Sequence, residues 1–363
     1  MHEICANMTK KLLFCVLCAV LCLLSACKDS GTTKVSATGT IYECLVVIPS
    51  RPLDNPQAVK SPSAYAEDIT TTYDLVKSVM AADMPCMPQM EPYFKLTQVA
   101  PSAFDDFLKP TRNILIIDIN SEKYTQVKAK YSLDYWSKPQ AVYRIQAPDD
   151  EAFVAYWNEH GEQVRDWFVQ QEISRQTRFY RASTNKDARA ALCRSIGVDF
   201  LVPEDYMLIM DTLLNVGGCA TNLVWCCNNK GPMRRDFIVY SYPYTDPNTF
   251  SPDYLNAKRD AVLGRVVTAS VPGSHMGTEY KVMPPQYRVI GENPYTAEIR
   301  GLWKMLDGEA MGGPYVSHTF VRDTTDETFT RIVTAEVYIL APGQKKRNAL
   351  RQAEAILYTK TQQ

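Results

Sequence analysis

An apolar run from Leu12 to Ala26, preceded by Lys10 and Lys11 and closing on Leu24-Ser25-Ala26-Cys27, limits what the rest of the chain can become. About fifteen apolar residues suit the central region of a secretory signal and fall short of the roughly 20 that cross a bilayer as a helix. Small residues directly before a cysteine form a lipobox, in which the Cys27 thiol is diacylated before cleavage on its N-terminal side. Each buried methylene contributes about 0.8 kcal/mol, so an anchor of several acyl chains is effectively permanent. The expectation is a water-soluble body tethered to a membrane through Cys27. Lys28 follows where an aspartate would signal inner-membrane retention, which predicts the outer membrane with the body facing the periplasm. Lys28-Asp29-Ser30 carries a single acid, a thin basis for the alternative, the cell surface.

Charge then narrows the partners. The chain has 39 Lys and Arg against 40 Asp and Glu, and no basic cluster interleaved with aromatics, so nucleic acid is not an expected partner. Of its 11 cysteines, Cys44, Cys86, Cys193, Cys219, Cys226 and Cys227 lie beyond the lipobox. An even number in an exported chain permits disulfides, whereas irregular spacing and a chain of this size favour small buried thiols. Cys219, Cys226 and Cys227 lack a paired CxxC or a neighbouring histidine, so no metal site is expected. Walker A, GxGxxG and HExxH patterns do not occur, and no cofactor is expected.

Residues 1–27 are thus read as signal and lipobox and 28–40, rich in Ser, Thr and Gly, as a flexible tether. Two α+β halves follow, 41–182 and 183–363. Cys44–Ile48 and Asn113–Ile117 are nearly continuous apolar runs, the pattern of fully buried strands. Helical spacing predicts helices over 62–82, from Asp149 or Asp150 to about Tyr180, over 185–196, from Ser251-Pro252-Asp253 to about Leu263, and over 344–358. Residues 84–92 hold three prolines and read as an ordered loop. Segments 295–305, 315–322 and 330–340 predict an antiparallel meander. The fold class expected is α+β, a mostly antiparallel sheet with flanking helices. A strand, an Ala-Pro pair and a helix end both halves, which suggests two related units.

Several phrases together carry a resemblance: Pro88-Gln89-Met90-Glu91-Pro92-Tyr93-Phe94, Arg112-Asn113-Ile114-Leu115, Tyr240-Ser241-Tyr242-Pro243-Tyr244, Arg300-Gly301-Leu302-Trp303, Met311-Gly312-Gly313-Pro314 and Lys346-Arg347. With them the chain resembles a family of Bacteroidota lipoproteins known as domain of unknown function 4837, over nearly the whole mature chain. The resemblance implies an exported, lipid-anchored protein and implies no activity, cofactor or catalytic residue.

Candidate chemistry is sparse. His160 sits on the apolar face of its helix and reads as a core residue, and His275 lies in a Gly-rich loop where an exposed base can act. No GxSxG elbow accompanies Ser274, so no catalytic residue is assigned. Glu91, Asp118, Asp211, Asp236 and Glu279 lie near strand ends, where glycosidase acids often sit. Lys345, Lys346 and Arg347 place three cations in the first turn of the last helix, against its dipole, and mark a candidate anion site. Tyr242, Tyr244, Trp303, Met311, Gly312, Gly313 and Tyr315 form a candidate partner surface. The expectation is a non-enzymatic binding or accessory module for an envelope protein or an anionic envelope component; the alternative is an envelope hydrolase of glycan or ester bonds.

Overall fold

A computed structural model describes residues 34–49, 51–53, 69–292, 295–322 and 330–362. The signal run, Cys27 and the first part of the helix expected over 62–82 lie outside the described residues. Among the described residues no helix is long and apolar enough to cross a membrane.

The first half builds β1 (Val35–Ser36), β2 (Glu43–Val47), α1 (Thr72–Met80), β3 (Lys95–Val99), β4 (Asn113–Ile119), β5 (Lys128–Leu133), β6 (Ser137–Lys138), β7 (Ala141–Ala147) and the long α2 (Asp150–Ala182). Five of these strands form one sheet in the order β3-β2-β4-β7-β5, in which only β5 runs antiparallel. This half therefore differs from the mostly antiparallel arrangement expected. The apolar runs are the reason, since a parallel strand covered on both faces has no polar side to alternate with. The residues expected as tether reach into the fold, because Val35 and Ser36 pair with Ser137 and Lys138. α1 starts at Thr71, whose hydroxyl accepts from Asp74 N at 3.1 Å while the Asp74 carboxylate accepts from Thr71 N at 3.0 Å. α2 is capped by Asp149, which accepts from Ala152 N at 2.8 Å.

The second half holds α3 (Lys186–Ser195), β8 (Val198–Asp199), β9 (Met207–Val216), β10 (Cys219–Asn228), β11 (Arg234–Pro243), α4 (Pro252–Val266), β12 (His275–Glu279), β13 (Gln286–Glu292), β14 (Tyr295–Leu306), β15 (Gly312–Arg322), β16 (Arg331–Leu340), α5 (Arg347–Leu357) and β17 (Thr361–Gln362). The large sheet is antiparallel throughout, in the order β12-β14-β15-β16-β11-β10-β9, with β13 sharing one edge of β14 with β12. The molecule is α+β. Both halves end in strand, Ala-Pro and helix, yet the strand orders differ, so the likeness stops at that device.

The inner faces of both sheets share one core with α1, α2 and α5, which places these helices between the sheets. On the far side of the large sheet α4 covers a second core containing Tyr240, Tyr242, Trp303 and Tyr315. Close packing there needs small residues. A Cβ at Gly313 would meet the Ile339 carbonyl at 2.0 Å and Trp303 Nε1 at 3.1 Å. Gly313→Ala is therefore expected to cost about 1–3 kcal/mol of stability by overpacking, read from the urea midpoint against the parent chain.

Candidate functional site

The two halves meet where the proline-rich loop of residues 84–92 lies on α5. Glu91, almost fully buried, turns its carboxylate onto the first turn of that helix. Its oxygens accept from Lys346 N at 2.7 Å and Arg347 N at 2.9 Å. Free N–H groups at a helix start attract an anion, and here the anion is the protein's own side chain. The place that Lys345, Lys346 and Arg347 were expected to offer an external anion is thus taken. Lys346 Nζ donates to the Gln344 carbonyl at 2.8 Å, Arg347 Nη1 donates to the Pro92 carbonyl at 2.8 Å, and Lys345 is exposed. The same loop is pinned again at Cys86, whose thiol donates to the Arg300 carbonyl at 3.2 Å.

Beneath the loop is a buried charged cluster. Glu298 and Arg300 alternate along β14 with Ala297, Ile299 and Gly301, so both point to the α5 side while the small and apolar residues face α4. Glu298 stands directly between its cross-strand neighbours Arg288 on β13 and His318 on β15. It accepts from Arg288 Nε at 2.6 Å and Arg300 Nε at 2.8 Å, and its Oε2 lies 3.1 Å from His318 Nε2. From above, Glu354 of α5 accepts from Arg300 Nη2 and, at 3.0 Å, from Arg351 Nη1. Burial by itself would raise both glutamates, but Arg300 and its neighbouring cations outweigh it and hold Glu298 and Glu354 below the usual carboxylate range. Arg300 answers in kind: burial opposes its charge, and Glu354 with Glu298 raises it well above the ordinary value.

A cleft of about 260 Å³ opens onto this cluster. Pro85 and Tyr93 form one wall and Asp166 and Gln170 of α2 another. Tyr287 and Arg288 stand at its β13 edge, with Glu298, Arg300, Arg351 and Tyr358 along its remaining surface. The Tyr93 ring lies between two guanidinium groups, Arg165 at 4.4 Å and Arg351 at 5.3 Å from its centroid. Burial also pushes the Tyr287 hydroxyl up to about 12, with Tyr295 adding to it, so the phenol stays neutral. The cleft therefore presents fixed cations, neutral phenols and the ionised carboxylate of Glu298, which is already bonded, with Glu354 behind it.

The residues singled out in the sequence fall elsewhere. Tyr242, Trp303 and Tyr315 are buried under α4, Gly313 is buried, Met311 is half-buried, and Gly312 and Tyr244 are exposed. Alternation puts the aromatic side chains of these strands on the inner face, so the tyrosine-rich surface is mostly core. One run of exposed apolar side chains lies instead on β9, an edge strand with Met207, Leu208, Ile209 and Leu213 in solvent. His275 belongs to strand β12 and bonds the Gly273 carbonyl through Nδ1 at 3.0 Å. His160 is only partly covered and its Nδ1 lies 3.2 Å from Gln163 Oε1. The five candidate carboxylates are dispersed: Glu91 caps α5, Asp118 is bonded by Tyr124, Asp211 by Arg194, Asp236 by Arg234 and Trp225, and Glu279 by Lys304. Among the described residues the six cysteines form no disulfide, and burial pushes Cys226 up to about 12 and Cys227 up to about 11, far from the thiolate form that redox or metal chemistry uses.

No curated protein matches the chain. The resemblance read from the sequence was expected to span nearly the whole mature chain, and the family models divide it instead. Residues 58–181 match the model described as domain of unknown function DUF8532, and the cleft takes Pro85, Tyr93, Asp166 and Gln170 from that region. Residues 185–359 match the model described as domain of unknown function DUF4837, and the cleft takes Tyr287, Arg288, Glu298, Arg300, Arg351 and Tyr358 from that region.

Proposed function

We infer that the chain is an exported lipoprotein, acylated at Cys27 and held at the outer membrane with its body in the periplasm. There it binds a small envelope component in the cleft between its halves and does not transform it. The observation that carries the binding half of this reading is the state of Glu298 and Glu354. A glycosidase needs one carboxyl kept protonated near neutrality as general acid, and both of these are held ionised by buried arginines. Fixed donors and aromatic rings around a small concave site suit recognition without turnover. Anchoring rests on the lipobox alone.

Native mass spectrometry of the full chain, released from its own envelope in mild detergent, tests the reading. A bound small species is expected, and it should be lost in Tyr287→Ala, which changes the mouth of the cleft. Hydrolysis of ester or glycosyl reporter substrates by the pure chain would overturn it.

A further inference from the structure

The cleft has an imbalance that names its ligand class. Three arginines, Arg288, Arg300 and Arg351, face two glutamates, Glu298 and Glu354. Asp166 on the rim is engaged by Arg165, whose Nε donates to it at 2.9 Å and whose Nη1 lies 3.6 Å from Glu162. Within the Arg288, Arg300, Arg351, Glu298 and Glu354 cluster the cations outnumber the carboxylates by one. A donor is left over as well: Arg351 is only 4% exposed, and its Nε has no hydrogen-bond partner among the described residues. A buried guanidinium N–H without an acceptor costs the full desolvation of that group, so folded proteins leave few of them. At the mouth, Arg288 spends Nε on Glu298, and more than half of its side chain stays in solvent.

We propose that this cleft takes an oxyanion, the phosphate or carboxylate group of a small ligand, between Arg351 and Arg288, with Tyr93 and Tyr287 against the uncharged remainder. The proposal deepens the binding reading above and rests on it. Guanidinium groups present paired donors that match the oxygens of phosphate and carboxylate, whereas an ammonium offers only a point charge. Size sets the rest. At about 260 Å³ the cleft lies below the 300–1,000 Å³ of pockets that swallow drug-sized ligands, so it admits a head group or a small metabolite. The oxyanion can come from solution or from a phospholipid head group, and both use the same contacts.

Calorimetric titration of the full chain with inorganic phosphate, with succinate and with dihexanoyl phosphatidic acid below its micellar concentration decides the matter. Saturable binding of at least one probe is expected, weakened about tenfold or more in Arg288→Gln, the worth of one charge-assisted bond. Arg351→Gln should abolish it; if that variant does not fold, Arg288→Gln carries the test alone, since Arg300 and His318 still hold Glu298. Tighter binding of the short-chain lipid supports a head group, and tighter binding of phosphate or succinate supports a soluble ligand. No saturation with any probe, or equal affinity in the parent and Arg288→Gln, overturns the proposal. A species still bound in native mass spectrometry would then leave the binding reading standing and remove only its oxyanion.

Discussion

Arg300→Leu is expected to lower the unfolding free energy by about 3–5 kcal/mol, the largest effect of any single change in the cluster. The leucine fills much of the space, so packing is not the main loss. What remains is Glu298 and Glu354, both fully buried, with their central counter-ion gone. The pH dependence separates this cause from a packing defect. In the parent chain both glutamates sit below their unfolded value of about 4.3. A group depressed in the folded state contributes stability above its unfolded value and loses that contribution as pH falls through the folded one. The parent should therefore weaken only in strong acid. In Arg300→Leu burial governs, the two carboxyls move up, and the deficit should shrink as pH falls from neutrality towards the ordinary carboxylate range. Urea unfolding across that range checks it; a deficit independent of pH would point to packing.

Glu91→Ala comes next, at about 3 kcal/mol. The carboxylate bonds two backbone N–H groups at the start of α5, and bonds to a charged group contribute about 1.5–3 kcal/mol each. The loop then loses a tie to the helix, and both donors are left in a site too covered for water to satisfy fully. Glu91→Gln, which keeps one acceptor oxygen, should lose about half as much. Hydrogen exchange at the Lys346 and Arg347 amides should rise in both variants, and unchanged protection would contradict the capping role.

Much of the second half was legible from its residues. The meander of β14, β15 and β16 follows from long apolar runs separated by turn residues, and Ser251-Pro252-Asp253 marked the start of α4 because cap, proline and acid each act locally. Strand direction in the first half was not legible. Cys44–Ile48 announced burial on both faces, but parallel pairing is set by the crossover through α1, most of whose approach carries no such pattern. The tyrosines misled for a related reason: composition counts aromatic rings, and only the register of β11 and β15 shows that Tyr240, Tyr242 and Tyr315 turn inward.

The cleft itself left one trace in the sequence. Thr296-Ala297-Glu298-Ile299-Arg300-Gly301-Leu302-Trp303 puts two opposite charges two residues apart inside an otherwise apolar run, which places both on one buried face of a strand. Such a pair calls for a partner across the fold. That the partners are Glu354 and Arg351, one helix turn apart on α5, depends on contacts about fifty residues away and on a loop more than two hundred residues away. Lys345-Lys346-Arg347 drew attention to the right helix; the cation that faces the cleft is Arg351, one turn further on.

A crystal structure of the full chain, purified from its own envelope without ligand exchange, tests the cleft most directly. An oxyanion within hydrogen-bond distance of Arg351 and Arg288, with the Arg300 pairs to Glu298 and Glu354 intact, is the expected result. Arg351 turned away to another protein acceptor, with the space between Tyr93 and Tyr287 filled by side chains, would contradict it.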